Sequence, residues 1–252
     1  MKTPTIIGTL KNKICFVTLI LIVASSFNSF GQLNIEASLG YHTYDMSMLK
    51  EAQNEGLSTI PFNAQITDDF PSYFGYDFLG YYSFNSVSKL QFGIGLLFNY
   101  TSTGGRISYS DYSGTFYDDQ RLTRTGSGVF LTLEYLNSDR FTLSFDCTPT
   151  LTVSTMDLIY HLNIYKELYE HHSLEAQSIG LNIHLGVKSK VYVYKNIYTF
   201  GKIGYEIDAL ESNMYVTGEG DIYLTNTEGD PIYPNWTGLR FSLGIGGSLF
   251  RN

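Results

Sequence analysis

The sequence is poor in charge, cysteine and long apolar runs, and each shortage excludes a class of protein. Only 16% of its 252 residues are charged, the formal net charge is −8, and there are 2 Cys and 1 Trp. An acidic chain without a basic cluster argues against nucleic acid as a partner. Cys15 lies in the N-terminal apolar segment, so Cys147 has no partner and a disulfide framework is excluded. After residue 31 no apolar run approaches the length of a membrane-spanning helix.

The N-terminal segment has the pattern of a secretory signal peptide. Three lysines precede the apolar run 14–24, and a polar stretch follows with the small residues Ser29 and Gly31. That run is too short to cross a bilayer as a helix, which takes about 20 residues. We therefore predict a signal peptide over 1–31, cleaved before Gln32, and an exported chain over 32–252. An N-terminal anchor that is retained is the alternative.

The sequence is rich instead in Gly (24), Tyr (21) and Phe (17), and its residues alternate with a period of two. In the last stretch, 236–252, large apolar residues such as Leu243 and Ile245 alternate with small ones such as Ser242 and Gly244. The same alternation recurs in 89–100, 127–135, 140–154 and 178–188, and the stretches 33–41, 73–84 and 198–209 follow it more loosely.

Eight such stretches predict an all-β fold, an eight-stranded antiparallel up-and-down transmembrane β-barrel. A sheet in a bilayer has to close on itself because no water is present to bind its backbone groups. The apolar faces would contact lipid, and the small faces would line a narrow lumen that side chains fill. A soluble β-sandwich is the alternative, but its outer faces would carry long polar side chains.

Connection lengths predict the orientation of the barrel. The turns at 85–88, 137–140 and 195–196 are short, whereas the connections 43–72, 104–116, 161–175 and 210–235 are long and polar, as expected for periplasmic and outer sides. Aromatic residues near both levels predict two girdles. Those near the short turns are Tyr82, Phe84, Tyr135, Phe141, Tyr194 and Phe250, and those near the long connections are Tyr41, Tyr100, Tyr160 and Trp236.

Several strands are also longer than a membrane requires. A crossing takes about 9–11 residues, and the runs 89–109 and 115–136 are each about twice that length. We expect these strands, with a further hairpin near 213–227, to project outside the membrane as a sheet with Tyr-rich faces. Exposed strand edges favour β-augmentation, and Tyr is enriched at interfaces. The interaction candidates are Tyr109, Tyr112, Tyr117, Tyr215 and Tyr223.

The signal peptide, the eight-stranded pattern and the strand-rich C-terminus resemble the small outer-membrane β-barrel proteins of Gram-negative bacteria, a group often described as porin-like. The resemblance covers residues 32–252. It implies a location in the outer membrane, among outer-membrane lipids. The group includes passive anchors, adhesins and a few enzymes, so it is less specific for activity than for architecture. One departure is the end of the chain, where Arg251 and Asn252 follow Phe250 instead of a terminal aromatic residue.

Charged residues on the predicted lumen faces form the main candidate site. A charge away from water is costly unless it is paired, so these side chains are expected to fill the lumen with salt bridges. Arg240 should pair with Glu36 or Glu206, since their strands are close neighbours in the predicted barrel. An ion or proton path is the alternative. The predicted network consists of Glu36, Asp77, Glu134, Asp146, Lys202, Glu206, Asp208 and Arg240, and His184 shares their face.

Three outer segments offer weaker alternatives. In 169–175, His171, His172 and Ser173 beside acidic residues could serve a hydrolase at the rim or, with Glu170 or Glu175, a metal site, but a solvated loop is the simpler interpretation. The acidic loop 217–231 could bind Ca²⁺ or form a solvated turn. The stretch 45–58 predicts a short helix that begins at a cap, Asp45 or Ser47, and ends at Gly56; its face of Met46, Leu49, Ala52 and Gln53 could cover the barrel mouth or bind a partner.

The leading hypothesis is a non-enzymatic surface anchor or interaction protein with a filled lumen. Its partner would be another surface or secreted protein. No catalytic residue, metal site or cofactor is assigned. A narrow channel and a lipid-modifying hydrolase at the rim remain the alternatives.

Overall fold

The computed structural model describes residues 31–85, 90–138, 140–165, 168–210, 212–218 and 222–249. The predicted signal peptide therefore lies almost wholly outside the described residues, as does Phe250 of the predicted girdle. The described elements are β1 (Gly31–His42), α1 (Ser47–Thr59), β2 (Gln65–Asp69), β3 (Tyr73–Asn85), β4 (Gln91–Asp111), β5 (Gly114–Asn137), β6 (Phe141–Ile164), β7 (Leu168–Tyr194), β8 (Ile197–Leu210), β9 (Tyr215–Val216) and β10 (Gly238–Leu249).

Eight of these strands form one closed antiparallel ring. The order around the ring is β1, β3, β4, β5, β6, β7, β8 and β10, and β10 pairs back onto β1 from Leu33↔Leu249 to His42↔Arg240. Except for the β1 to β3 and β8 to β10 connections, each strand pairs with the next in sequence. This is the predicted eight-stranded up-and-down barrel.

The outside of the ring is apolar on every strand. Leu96, Ile179 and Leu243 are 71%, 66% and 75% exposed, and the alternate side chains Asn99, Asn182 and Ser242 are buried in the lumen. A continuous apolar exterior of this extent is stable in lipid and not in water. The barrel therefore spans a membrane. Among the described residues no helix, α1 included, is long and apolar enough to cross a bilayer.

Four strands continue far beyond the ring. β4 to β7 contain 21, 24, 24 and 27 residues, about twice what a crossing needs. The ring pairings stop at Thr101 of β4 and Leu181 of β7, and beyond them β2, β4, β5, β6, β7 and β9 form an open sheet, here called the outer sheet. Strand therefore occupies most of 104–116 and 161–175, which the connection lengths had assigned to loops.

The inner face of the outer sheet, which continues the lumen-facing side of the strands, is covered by apolar residues. Helix α1 buries Leu49 there, and Met46 directly before it is fully buried. The helix differs from its prediction at both ends: Met46 occupies the N-cap with a left-handed φ of 50° and no side-chain cap, and the helix continues past Gly56. The outer sheet, α1 and the segments 212–218 and 222–237 together form what we call the outer module.

The girdles also differ in part from the prediction. Tyr41 and Tyr100 are exposed at the outer level, where Tyr73, Phe74, Tyr76 and Tyr205 join them. Trp236, by contrast, is 1% exposed and belongs to the apolar core of the outer module. Tyr160 packs against Phe116 on the inner face of the outer sheet. Both were assigned to the girdle from sequence, and both lie inside because the interior beyond the membrane is apolar.

Candidate functional site

The lumen contains two layers of paired charges, and Glu36 is the centre of the layer nearer the short turns. Lys188 Nζ lies 3.0 Å from Glu36 Oε2 and 3.2 Å from Oε1. The hydroxyls of Tyr198 and Tyr81 donate to Glu36 Oε1 at 2.9 and 3.1 Å. This buried carboxylate thus has a cation and two neutral donors, which is the condition for keeping a charge out of water.

The same layer extends through Lys190 and Asp146. Lys190 Nζ lies 2.5 Å from both Glu134 Oε1 and the Tyr81 hydroxyl. Asp146 accepts hydrogen bonds from Thr132 and Ser144 at 2.6 and 3.1 Å, and its other oxygen is 3.5 Å from Lys188. The two lysines connect three carboxylates, so the layer carries a formal charge of −1.

The second layer surrounds Glu206, nearer the outer module. Its carboxylate forms an ion pair with Arg124 and lies 3.2 Å from Arg240 Nε. Arg240 also donates to the backbone oxygens of Thr43 and Trp236 at 2.5 and 2.6 Å. Because these two carbonyls belong to the segments that enter and leave the outer module, Arg240 ties the lumen to that module.

An aromatic pair closes the lumen above Glu206. The guanidinium carbon of Arg124 lies 4.9 Å from the centre of the Trp236 ring, and that of Arg240 lies 5.1 Å from the Tyr44 ring. The two rings meet edge to face at 5.0 Å. Trp236 Nε1 donates to Ser154 at 2.9 Å, and the Tyr44 hydroxyl bonds Thr101 at 2.5 Å. The polar edge of each ring is satisfied, and the apolar core of the outer module lies above them.

An apolar cluster packs against the Glu36 layer inside the ring. It consists of Leu79, Tyr81, Leu97 and Phe130. Lys188 Nζ lies 4.6 Å from the centre of the Phe130 ring, a cation–π distance. Ion pairs, this cluster and the Trp236–Tyr44 pair thus occupy most of the described lumen.

The glycines on the lumen face of β10 leave room for aromatic rings from β8. A Cβ at Gly246 would lie 2.5 Å from the Tyr198 ring, and a Cβ at Gly244 would lie 2.4 Å from the Phe200 ring. These rings from β8 fill the space that side chains on β10 would need. Tyr198 can reach Glu36 only because Gly246 on the neighbouring strand β10 has no side chain in its way.

The predicted lumen residues do lie on the inner face, but their partners differ in part from those expected. Of the two partners expected for Arg240, the structure brings it to Glu206, while Glu36 pairs with Lys188. Asp208 accepts from the backbone N–H of Trp236 at 3.3 Å. Asp77 accepts from Ser38 at 3.4 Å. Lys202 lines a cavity beside Asp77 and forms no ion pair within the described chain.

Sequence reasoning missed three of the five lumen cations: Arg124, Lys188 and Lys190. The signal was present, because Lys188 and Lys190 continue the alternation of His184 and Gly186, and Arg124 continues that of Glu134 and Gly128. Lys188 ended one of the stretches considered from sequence but was not assigned to its inner face, and the stretch before Glu134 began at 127. Applying the period of two to Lys188 and beyond the limits of both stretches would have placed all three inside.

The rim candidates do not form a catalytic group. His171, His172 and Ser173 are consecutive in β7, so His172 faces away from the other two. His171 and Ser173 share a face of β7, but no hydrogen bond joins their side chains among the described residues. Glu175 is already bonded to Gln177 and Thr217 at 2.8 and 3.2 Å.

The same region contains aromatic and imidazole rings in contact on the outward face of the outer sheet. Tyr117 stacks on His161 with a centroid distance of 4.5 Å and an interplanar angle of 11°. Tyr169 and His171 lie 5.3 and 6.2 Å from the same imidazole. We call these four residues the ring ladder. They belong to three adjacent strands, β5, β6 and β7.

The remaining tyrosine candidates occupy different surroundings. Tyr112 is 97% exposed at the tip of the β4–β5 hairpin. Tyr215 and Tyr223 are exposed and meet at 6.2 Å near β9. Tyr109, however, packs on Phe62 at 5.1 Å, on the covered inner face of the outer sheet. Of the five tyrosines, Tyr109 is therefore the one least available to a partner.

Metal binding has no support in the described ranges, where no group of three or more His, Cys, Asp or Glu side chains has the arrangement of a metal site. Part of the acidic loop 217–231, residues 219–221, lies outside those ranges.

Comparison with known proteins finds likeness among solved structures. No family model matches the chain, and no curated protein matches it significantly. The chain is similar to Ail, the attachment invasion locus protein of Yersinia pestis, in complex with sucrose octasulfate (12% identity, 87% of this chain and 99% of that one, TM-score 0.35). It is similar to Neisserial surface protein A (14%, 86% and 97%, 0.37) and to OprG from Pseudomonas aeruginosa (9%, 87% and 96%, 0.43).

The assignment of the fold depends on the chain itself and not on these remote likenesses. The closed ring of eight antiparallel strands, the apolar exterior between two aromatic levels and the short turns on one side are the features of outer-membrane barrels. The protein is a small eight-stranded outer-membrane β-barrel with an additional outer module.

Proposed function

We propose that this protein is a surface-anchored interaction protein: the barrel holds it in the membrane, and the outer sheet contacts another surface or secreted protein. The observation that carries the proposal is the ring ladder, a patch of half-buried and exposed rings that meet at His161 on the outward face of a sheet beyond the membrane. Aromatic residues combine a large apolar area with a polar edge and are enriched where proteins bind.

The filled lumen supports this function over transport. A passage would have to cross the Glu206 layer and then the Glu36 layer with the apolar cluster around Phe130 that packs against it. Each charged layer consists of ion pairs whose separation would leave buried charges unpaired. Strands β4 to β7 are about twice as long as a membrane crossing requires. A channel does not need this extra length, whereas it places the ring ladder away from the lipid.

Photo-crosslinking on intact cells tests the proposal. A photoreactive phenylalanine analogue at Tyr117 should yield a discrete protein adduct, and the same analogue at lipid-facing Leu243 should not. Replacing His161 by Ser in the Tyr117 variant should abolish the adduct while the barrel still migrates as a folded band without heating. Absence of any adduct at Tyr117 and Tyr112 would contradict the interaction.

Planar-bilayer conductance of the refolded chain tests the lumen separately. We expect no conductance steps above background. Steady, ion-selective conductance steps would contradict the filled lumen and favour the channel hypothesis over the anchor hypothesis.

A further inference from the structure

The outer sheet is open at both sides, and its two edge strands differ in how well they resist pairing. At one side, β2 has 5 residues, a register shift and two exposed aspartates, Asp68 and Asp69. Short, irregular and charged edge strands discourage the addition of another strand. At the other side, residues 168–174 of β7 pair regularly with β6 and with no other strand in the described chain. This segment, here called the free edge, contains no proline, lysine or arginine.

Backbone hydrogen bonds show which residues of the free edge are unpaired. On the β6 side, Tyr192 N–H donates to the Arg140 carbonyl at 3.0 Å, and on the opposite side the Glu175 carbonyl accepts from Thr217 N–H at 2.8 Å. Successive residues of a strand direct their N–H and C=O groups to opposite sides. The register between β6 and β7 is unbroken from Phe141↔Val191 to Ile164↔Leu168. The backbone groups directed away from β6 therefore belong to Tyr169, His171 and Ser173.

The sequence of the free edge, LYEHHSL, is complementary to itself in the antiparallel direction. When His171 lies opposite His171 of a second copy, Tyr169 of each copy lies opposite Ser173 of the other. All three residues with unpaired backbone groups then form hydrogen-bonded pairs. On the other face, Leu168 meets Leu174, and Glu170 lies opposite His172, so that the ring N–H of the histidine can donate to the carboxylate.

Neighbouring registers are less favourable. A pairing centred on Glu170 would place two carboxylates directly opposite each other, which is destabilising. A pairing centred on His172 would place Tyr169 opposite Glu175, whose carbonyl is already bonded to Thr217. The pairing centred on His171 uses the whole free edge and stops where β9 begins to cover β7.

The direction of the pairing decides where the second copy lies. Two copies in one membrane are related by an axis along the membrane normal. Because barrel strands tilt by about 35–45°, their free edges would cross at about 70–90° and could not pair. Antiparallel strands of one sheet are related by an axis perpendicular to the sheet, which turns the second barrel upside down. His171 lies about 33 Å along the strand from Leu181, where the ring pairing stops, so two facing membranes stay apart.

From the unpaired edge and its self-complementary sequence we infer that this protein binds a second copy of itself in a facing membrane. The two outer sheets join through their β7 strands into one continuous sheet. The contact is isologous, and it connects the two ring ladders through the paired His171 side chains. Seven residues from each copy form a small and individually weak interface, so many copies in the two membranes act together. This self-association is additional to the proposed contact with another protein and needs only the chain itself.

Cysteine pairing between vesicles tests both the contact and its register. The refolded chain, with Cys147→Ser, is placed in vesicles whose outer modules are accessible to protease. One population carries Tyr169→Cys and the other carries Ser173→Cys. The Cα atoms of a hydrogen-bonded antiparallel pair lie about 5.5 Å apart, within the range of a disulfide. Under a mild oxidant we expect a disulfide-linked dimer only when the two populations are mixed.

Asn163→Cys is the matched control, because Asn163 is exposed on the outward face of β6 and lies away from the edge. It should give no dimer with either population. A yield with Asn163→Cys equal to that of the mixed pair, or no dimer after mixing, would overturn the pairing.

Vesicle clustering, measured by dynamic light scattering, provides the second test. Vesicles with the unmodified chain should cluster. Ser173→Pro removes a backbone donor from the free edge and keeps the ladder to β6, because this N–H points away from β6, so clustering should be lost. Ser173→Ala keeps the donor and should cluster like the unmodified chain. Both variants should migrate as folded bands without heating. Clustering that is absent for the unmodified chain, or unchanged by Ser173→Pro, would contradict the self-association.

Discussion

The barrel and the outer module use the same strands with opposite polarity. Within the membrane, β5 directs Glu134 and Thr132 inward and exposes Leu131 and Val129. Further along the same strand, the inward positions become apolar at Leu122 and Phe116, and the outward ones become polar. From Glu134 to Phe116 the alternation of sides keeps its phase, and the one register shift between β5 and β6 lies at Glu134/Leu136, at the short-turn end.

The surrounding medium explains the reversal. In lipid the exterior has to be apolar, and the small lumen receives the polar side chains. Above the membrane water surrounds the sheet, so its apolar side turns inward and packs against α1 and the segments 212–218 and 222–237. Arg124 lies at the change of polarity, with its guanidinium in the lumen layer and its neighbour Leu122 in the outer core.

The largest expected effect comes from removing a charge from the polar lumen of the barrel. Glu206→Gln leaves two buried arginines without a charged partner, and removal of one member of a buried pair costs about 3–5 kcal/mol. Asp119→Asn breaks the pair with Arg106 on the exposed side of the outer sheet, which should cost about 0.2–1 kcal/mol. Urea unfolding in lipid vesicles, followed by Trp236 fluorescence, measures both. Equal losses for the two variants would show that the lumen is as well hydrated as the surface.

A second experiment locates the boundary between lipid and water on the outside of the strands. Leu243 and Asn163 both face outward, but Leu243 faces lipid and Asn163 faces water. A lysine near the bilayer midplane costs about 2–4 kcal/mol, so Leu243→Lys should lower the free energy of unfolding by that amount. Asn163→Lys should change it by no more than about 0.5 kcal/mol, as is usual at an exposed position. A comparable loss at Asn163 would place the membrane boundary further out.

The reversal of polarity along the strands also explains which features the sequence could predict and which it could not. The period of two is local, so it identified the eight membrane strands and the sides of residues such as Leu96 and Asn99. It could not assign Trp236, because an aromatic residue near a membrane boundary fits a girdle and a buried core equally well. The pairing of Glu36 with Lys188 joins side chains across the lumen, on strands that do not neighbour each other in the ring. Such pairs depend on the closure of the barrel and leave no trace in local spacing.

The smallest expected effect concerns two aspartates in one hairpin of the outer sheet. Burial on the inner face raises the pKa of Asp118 above its usual value, although a hydrogen bond from Gln120 opposes the shift. The Ser113 hydroxyl, followed by the Tyr109 hydroxyl, lowers the pKa of Asp111 in the exposed turn. Carboxyl NMR in nanodiscs should show Asp118 titrating at a higher pH than Asp111, and Asp118→Asn identifies its signal.

The two shifts also have opposite consequences for stability. Because folding raises the pKa of Asp118, its contribution is complete below the unfolded-state pKa and is lost as the pH rises through the folded value. Asp111 contributes above its unfolded-state pKa, and that contribution is lost as the pH falls through the lowered folded value. Asp118→Asn should therefore weaken the gain in stability that acidification gives to the outer module, and Asp111→Asn should not. If Asp118 titrated at or below the pH of Asp111, the inner face of the outer sheet would be hydrated, and the polarity reversal would stop short of the hairpin tip.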